Sequence, residues 1–417
     1  MKKTVALFLS IIFIMQTAPS VFASKRVVKE DENAELSSSF VSVVPNGDDV
    51  KKLPVEVKAK SAVLMDVSTG KILMTFNPDI KLFPASVTKI MTVLLVAEAL
   101  NEKKINLTDK VACSLNAAGK GGSQIWLEEG EEMTVDELLR ATVIGSANDA
   151  ATLLGEYVSG SEEAFISLMN KRAKELGMNN THFVNATGLD DTTDEHLTTA
   201  RDIAVMSCEL LKYDFITDYT TVWMDSLRNG KTELVNTNRL VRFFDGTTGL
   251  KTGTTAKAGC CVSASAKRGD LHLVAVVLGS TNSNDRFETA KAMLNWGFSN
   301  YASYTPKVDG SLVKSVKVIG GRSDSVGVLM PRISPLIIKK GEEDKVRVDV
   351  ELCDDVEAPV CKNQTLGTVK ITVSEKGVSE YKLTASNEVE KLNIIDAMLK
   401  IFNFVSNGNT DYPYPIA

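Results

Sequence analysis

Phe83-Pro84-Ala85-Ser86-Val87-Thr88-Lys89-Ile90-Met91-Thr92 leads directly into the apolar run from Val93 to Leu100. From Val87 to Leu100 the chain is too apolar on every side for a surface helix, so it reads as a helix buried in the middle of a domain. Pro84 pre-sets an extended approach to that helix, and Ser86 stands at its mouth. Lys89, three residues on, shares the face of Ser86 in the first turn and lies within hydrogen-bond reach of its hydroxyl. Apolar surroundings penalise an ammonium, and a neutral amine can take the serine proton. The helix N-terminus adds partial positive charge where an oxyanion would develop. Ser-x-x-Lys also occurs at Ser68, Ser311 and Ser379, in settings that read as turns and exposed strands. Ser86 differs from these in standing before a buried helix.

Working outward, 417 residues exceed a single average core, so more than one domain is expected. With 44% hydrophobic and 24% charged residues, disordered and collagenous classes are excluded. A net charge of −6 argues against general nucleic-acid binding, and no dinucleotide or phosphate loop occurs. Met1 to Ala23 has Lys2 and Lys3, an apolar stretch from Val5 to Met15 and small residues ending at Ala23. It reads as a secretory signal peptide, so the rest is expected to be exported. Residues 24–54 are polar and aperiodic, a flexible leader. In an oxidising exterior Cys353 and Cys361, which flank a short loop, could pair. Cys260 and Cys261 are adjacent on a strand and face opposite sides. With Cys113 and Cys208 they read as small buried hydrophobes.

Two apolar stretches flank Ser68-Thr69-Gly70 as a hairpin. Thr134 with Glu137 is a capping-box pattern opening a helix to about Ile144, and helical spacing resumes from Asp149 to Val158. Ser161 opens a further helix closed by Gly177, and Thr199 with Asp202 caps another running to about Tyr213. Residues 246–252, 259–266 and 271–278 are strand-like, with Arg268-Gly269-Asp270 as a turn, and Thr289 to Phe298 closes as a helix. The pattern predicts a sheet covered by helices with its first and last strands meeting, over residues 55–304. Residues 305–388 alternate with period two, as in 346–352 and 369–373, and predict a small antiparallel β domain. A helical pattern follows over residues 389–405, with the strip Leu392, Ile395, Met398, Leu399, Phe402 and Val405. A polar tail occupies residues 406–417.

Ser146-Ala147-Asn148 falls between two predicted helices, and Lys251-Thr252-Gly253 at the end of a predicted strand. With Ser86 and Lys89, in this order, they resemble the three-motif active site of the serine penicillin-recognising enzymes, the superfamily of penicillin-binding proteins and class A β-lactamases. Pro84 to Thr92, Gly188-Leu189-Asp190, Thr199-Ala200-Arg201-Asp202 and Gly249 to Thr255 further resemble the D-alanyl-D-alanine carboxypeptidases, the low-molecular-mass penicillin-binding proteins. The likeness extends over almost all the chain after residue 55. Ala358-Pro359-Val360 and Lys362-Asn363-Gln364 match that family's small C-terminal β domain. The implied fold is mixed α/β: a β-lactamase/DD-peptidase-like domain, with an antiparallel sheet covered by helices, plus a small C-terminal all-β domain.

The resemblance implies that Ser86 attacks the carbonyl between two terminal D-alanines while Lys89 accepts its proton, and that water hydrolyses the acyl-enzyme. It implies Ser146 as a proton relay to the leaving amine and Asn148 on the substrate amide. Lys251, Thr252, Gly253 and Thr254 would line the carboxylate side, with the amides of Ser86 and Thr254 as the oxyanion hole. Arg286, in a loop before the closing helix, would help read the terminal carboxylate. Peptidoglycan stem peptides and β-lactam antibiotics are the implied partners, with the C-terminal helix against a membrane at the outer face of the cytoplasmic membrane. No metal, cofactor or nucleic acid is implied.

Alternatives divide on specific residues. A Ser-His-Asp hydrolase lacks its Gly-x-Ser-x-Gly elbow here, and His272 lies in an alternating strand. The cluster Asp190, Asp191, Asp194, Glu195 and His196 reads as a solvated loop rather than a metal site. A β-lactamase shares all three motifs but needs a carboxylate-held water, and no Glu-x-x-Leu-Asn segment stands out. The intact set Ser86, Lys89 and Lys251 weighs against a non-catalytic penicillin-binding sensor.

Overall fold

The computed structural model describes residues 54–373 and 376–406, so the expected signal peptide, nearly all the leader and the tail from residue 407 lie outside the described residues. The first hairpin joins β1 (Ser61–Asp66) to β2 (Ile72–Phe76). Its turn is stapled by the Asp66 carboxylate, which accepts from the hydroxyls of Ser68 and Thr69 and from the Thr69 amide. Three long strands follow much later: β3 (Thr247–Thr255), β4 (Gly259–Arg268) and β5 (Leu271–Ser280). The sheet order is β2-β1-β5-β4-β3, antiparallel throughout, so the first strand does meet the last.

Both faces of this sheet are covered, which explains why β5 reads as an almost unbroken apolar run. Val63, Met65, Val274 and Val276 face one helical layer. Ala62, Leu64, Ala275 and Val277 face the other, with Phe287 and Met293 of the closing helix α6 (Ser283–Asn300).

In the first layer lies α1 (Lys89–Asn101), buried along nearly its whole length, as its apolar composition requires. Around it are α2 (Val135–Val143), α3 (Asn148–Ser159), α4 (Glu162–Glu175) and α5 (Ala200–Leu210). The capping box at Thr134 and Glu137 is formed in both directions, and Ser161 and Thr199 cap α4 and α5 through their hydroxyls. The approach to α1 differs from expectation. Pro84 has φ −81° and ψ −19°, so it is helical rather than extended and opens a 3₁₀ turn, Ala85–Thr88, that carries Ser86 ahead of the α-helix.

After α6 the chain enters β6 (Tyr301–Tyr304), which pairs with β7 (Leu336–Lys339). Strands β8 (Val346–Leu352), β9 (Thr365–Val373) and β10 (Lys376–Ala385) pair antiparallel around Val369, Ile371 and Leu383. The last helix, α7 (Ile394–Ser406), starts later than its apolar pattern suggests. Val389 is instead buried and paired through its backbone with Val360, and the Asn393 side chain accepts from the Asp396 amide. All six cysteines are free thiols, so Cys353 and Cys361 are exposed and unbridged, while the other four are buried as small hydrophobes.

Candidate active site

The 3₁₀ turn holding Ser86 is wedged between two glycines. Gly253 on β3 lies where a Cβ would be 2.8 Å from both the Pro84 carbonyl and the Ser86 amide, so the strand can lie against the turn only without a side chain. Gly188 approaches from the other side at φ +88°, and a Cβ there would run into the Ala85 carbonyl. One turn on, Lys89 is fully buried. Its Nζ lies 3.0 Å from Ser86 Oγ and donates to Asn148 Oδ1 at 2.5 Å and to the Thr187 carbonyl at 3.0 Å.

Burial, reinforced by the nearby Lys251 and opposed by Asp149, holds the Lys89 amine well below its ordinary pKa. A neutral amine has two hydrogens and one lone pair. Asn148 and Thr187 take the hydrogens, leaving the lone pair for the Ser86 hydroxyl. That is the arrangement a general base requires.

Asn148 owes its place to the link between α2 and α3, where Ser146 adopts φ +62° and is buried. Besides receiving Lys89, Asn148 donates from Nδ2 to Gly121 O at 2.6 Å and from its amide to Ser123 O at 2.7 Å. Asp149, the next residue, is fully buried, and its carboxylate accepts the amides of Ile125, Leu127 and Ala150. Asp149 is not among the residues expected from the sequence, although a carboxylate in the first turn of a helix directly after Asn148 is a visible signal. Nor is the Thr187 carbonyl, which as a backbone atom leaves no trace in residue type.

On the opposite wall, Lys251-Thr252-Gly253 lies within β3 rather than at its end, because the strand continues to Thr255. Lys251 is buried and donates to the Thr252 carbonyl at 3.2 Å, and its pKa is pushed down to about 7 by burial and by the Arg286 guanidinium. The side chains of Lys89 and Lys251 line one small apolar cavity with Val143, Leu210 and Leu250. The Thr252 hydroxyl donates to Thr237 Oγ1 at 2.7 Å, and that threonine is likewise not among the residues expected from the sequence.

Arg286 belongs to the first turn of α6 and not to a loop, because the helix begins at Ser283, capped by Asn282. It pairs with neither Asp285 nor Glu288. Its Nη1 donates to Gly253 O, Thr254 Oγ1 and Cys261 O, its Nη2 to Ser283 Oγ, and its buried Nε has no partner among the described residues.

The acidic segment after Gly188 is less solvated than its composition suggests. Asp190 is buried and accepts from Thr255 Oγ1 at 2.5 Å, while Lys257 donates to the carbonyls of Asp190 and Thr193. His196 is buried too. Its Nδ1 accepts from the Val184 amide, so Nε2 carries the hydrogen donated to Thr88 Oγ1, and burial pushes the ring down to about 4, keeping it neutral. His272, half-buried in β5, is bonded to Thr248 and lies in the sheet.

The chain is similar to known proteins over most of its length. A family model described as D-alanyl-D-alanine carboxypeptidase matches residues 48–282, and one described as penicillin-binding protein 5, C-terminal domain, matches residues 301–391. The D-alanyl-D-alanine carboxypeptidase DacF of Bacillus subtilis (strain 168) is 39% identical over 399 residues, covering 95% of this chain and 96% of the relative. DacC of Escherichia coli (strain K12), of the same activity by name, is 36% identical over 344 residues, covering 80% of this chain and 85% of the relative. Among solved structures, penicillin-binding protein 5 from Haemophilus influenzae superposes with a TM-score of 0.71 at 30% identity, covering 82% of this chain and all of that one. Penicillin-binding protein D2 from Listeria monocytogenes in its cefotaxime-bound form gives 0.55 at 30% identity over 59% of this chain and 100% of that one. Matched along nearly its whole length and in both parts of its fold, the chain belongs to the D-alanyl-D-alanine carboxypeptidase family.

Proposed function

We propose that Ser86 is the nucleophile of a serine D-Ala-D-Ala carboxypeptidase that trims peptidoglycan stem peptides and takes β-lactams covalently at the same hydroxyl. The observation that carries this reading is the Lys89 amine, desolvated and left with its lone pair toward Ser86 Oγ. Ser86 Oγ attacks the carbonyl between the two terminal D-alanines, and its proton passes to Lys89 Nζ. The amides of Ser86 and Thr254 hold the oxyanion. As the C–N bond breaks, Ser146 relays the proton held by Lys89 to the leaving amine, free D-alanine departs, and Lys89 is neutral again. Water then hydrolyses the ester on Ser86, with Lys89 again accepting the proton. Asn148 holds the substrate amide, while Lys251, Thr252, Gly253 and Thr254 form the carboxylate side.

The test is D-alanine release from a stem pentapeptide by protein lacking residues 1–23, run beside labelling with a fluorescent penicillin. Labelling together with release supports the reading. Labelling without release would make the chain a sensor, and rapid penicillin turnover would make it a β-lactamase.

Arg286 supports recognition of a free chain end, since its Nη1 donates to Gly253 O and Thr254 Oγ1 and so brings a guanidinium against the carboxylate side of the site. Arg286→Ala is expected to lower kcat/KM for a peptide ending in free D-Ala-D-Ala by roughly 2–3 kcal/mol, and far less for the same peptide amidated at its terminus. The guanidinium also lowers the Lys251 pKa, so its removal should shift that group upward. Lys251 then stays cationic to higher pH, and the alkaline limb of kcat/KM moves to higher pH. Equal losses on both peptides would make Arg286 structural.

Family members act in the cell envelope, and among the described residues no helix is long and apolar enough to cross a membrane. The protein is accordingly placed by this proposal outside the cell, in peripheral contact with the outer face of the cytoplasmic membrane through α7. Ile394, Ile395, Met398, Leu399 and Phe402 are each at least half exposed on that helix. The mature protein is expected to sediment with lipid vesicles and to be little released by salt, because Glu390 and Asp396 offset Lys391 and Lys400 in this segment. Recovery in the supernatant would rule the contact out.

A further inference from the structure

Trp126 has a backbone φ of +59° and an indole that is 75% exposed. An aromatic residue seldom takes the left-handed conformation, because its Cβ crowds the backbone there. It gains nothing from burial either, whereas the side chains of Ile125 and Leu127 on each side are buried. The conformation is imposed from two directions. The Asp149 carboxylate accepts the Ile125 and Leu127 amides, each at 3.1 Å. Arg228 donates to the Ile125 carbonyl at 2.8 Å and the Trp126 carbonyl at 3.5 Å, and grips Glu131 through Nε and Nη2 at 2.6 and 2.9 Å.

This frame is continuous with the reacting groups. Asn148 bonds Lys89 with Oδ1 and holds Gly121 and Ser123 of the same segment, while its neighbour Asp149 fixes the peptides around Trp126. Two consecutive residues thus serve the base and the displayed indole. Strain that the surroundings over-determine next to a reacting centre points to use rather than to packing.

We propose that Trp126 is a specificity residue whose indole packs on the stem peptide upstream of D-Ala-D-Ala, on the aliphatic side chain of the residue before the two D-alanines. The inference rests on the carboxypeptidase reading of the same site. With Asn148 on the substrate amide, the upstream peptide leaves the cleft along the segment that Asn148 holds. An aromatic plate receives aliphatic chains there without needing a hydrogen-bond partner. An acylated D-Ala-D-Ala dipeptide is too short to reach it.

The test compares wild type, Trp126→Ala, Trp126→Phe and Trp126→Gly on a stem pentapeptide and on N-acetyl-D-Ala-D-Ala. Trp126→Ala should lose about tenfold in kcat/KM on the pentapeptide and little on the dipeptide, and Trp126→Phe should recover most of the loss. Trp126→Gly accepts positive φ without strain, while the freer unfolded chain offsets that relief, so it should lose the same activity with little change in Tm. A purely structural tryptophan would instead lower Tm. Equal losses on both substrates, or none on either, would overturn the inference while leaving wild-type D-alanine release intact. Failure of wild type to release D-alanine from either substrate would overturn the carboxypeptidase reading, and the inference with it.

Discussion

Ser86→Ala is expected to abolish covalent labelling by a fluorescent penicillin and to cut D-alanine release by a factor on the order of 10⁵ to 10⁶, the scale seen when a nucleophile that acts as one unit with its base is removed. The fold should survive. Only a hydroxyl is lost, and the turn that carries it is held by the glycines at 188 and 253 rather than by that hydroxyl. Lys89 keeps Asn148 Oδ1 and the Thr187 carbonyl. Circular dichroism should therefore match the parent, with Tm shifted by no more than a few degrees. A labelled adduct in Ser86→Ala, located by peptide mapping, would move the nucleophile elsewhere.

Lys89→Arg should be nearly as damaging, with acylation slowed by about 10³-fold or more, within the span that general-base catalysis contributes. Arginine stays protonated, so it offers no lone pair to the Ser86 hydroxyl. The guanidinium also needs more room than α1 allows at this fully buried position, so Lys89→Met serves as a second variant that removes the amine without adding a charge. Lys89→Met should fold by circular dichroism, and both variants should fail to acylate. In the parent enzyme the acylation rate should fall as pH falls through the depressed pKa of Lys89, because protonation consumes the lone pair. Rapid acylation by either variant would identify a different proton acceptor.

Much of this site was legible because its parts are local. Ser86 and Lys89 stand three residues apart at the start of a helix whose burial shows in its composition, and Thr134 with Glu137 announces α2 within a single turn. Lys251-Thr252-Gly253 occurs once in the chain. What escaped depends on tertiary placement. Arg286 looked like a loop residue because the polar run Ser283-Asn284-Asp285 hides the helix that Asn282 caps. His196 and Asp190 looked solvated because nothing nearby in sequence shows that Thr88 and Thr255 fold over to receive them. Pro84 turned helical because the packing of β3 and Gly188 around the turn outweighs its local preference.

The pairing of β1 with β5 has a kinetic consequence. Ser61 must find Leu278, most of a domain further along the chain, before the central sheet can close. Such long-range closure makes folding slow, because loop entropy is spent before the contacts that reward it form. The turn that carries Ser86 lies against Gly253 of β3, which reaches β1 only through β4 and β5, so that turn is expected to be set in place only once the sheet closes. A penicillin adduct would therefore mark completed molecules during refolding, and its appearance should coincide with the final slow phase rather than with early helix formation.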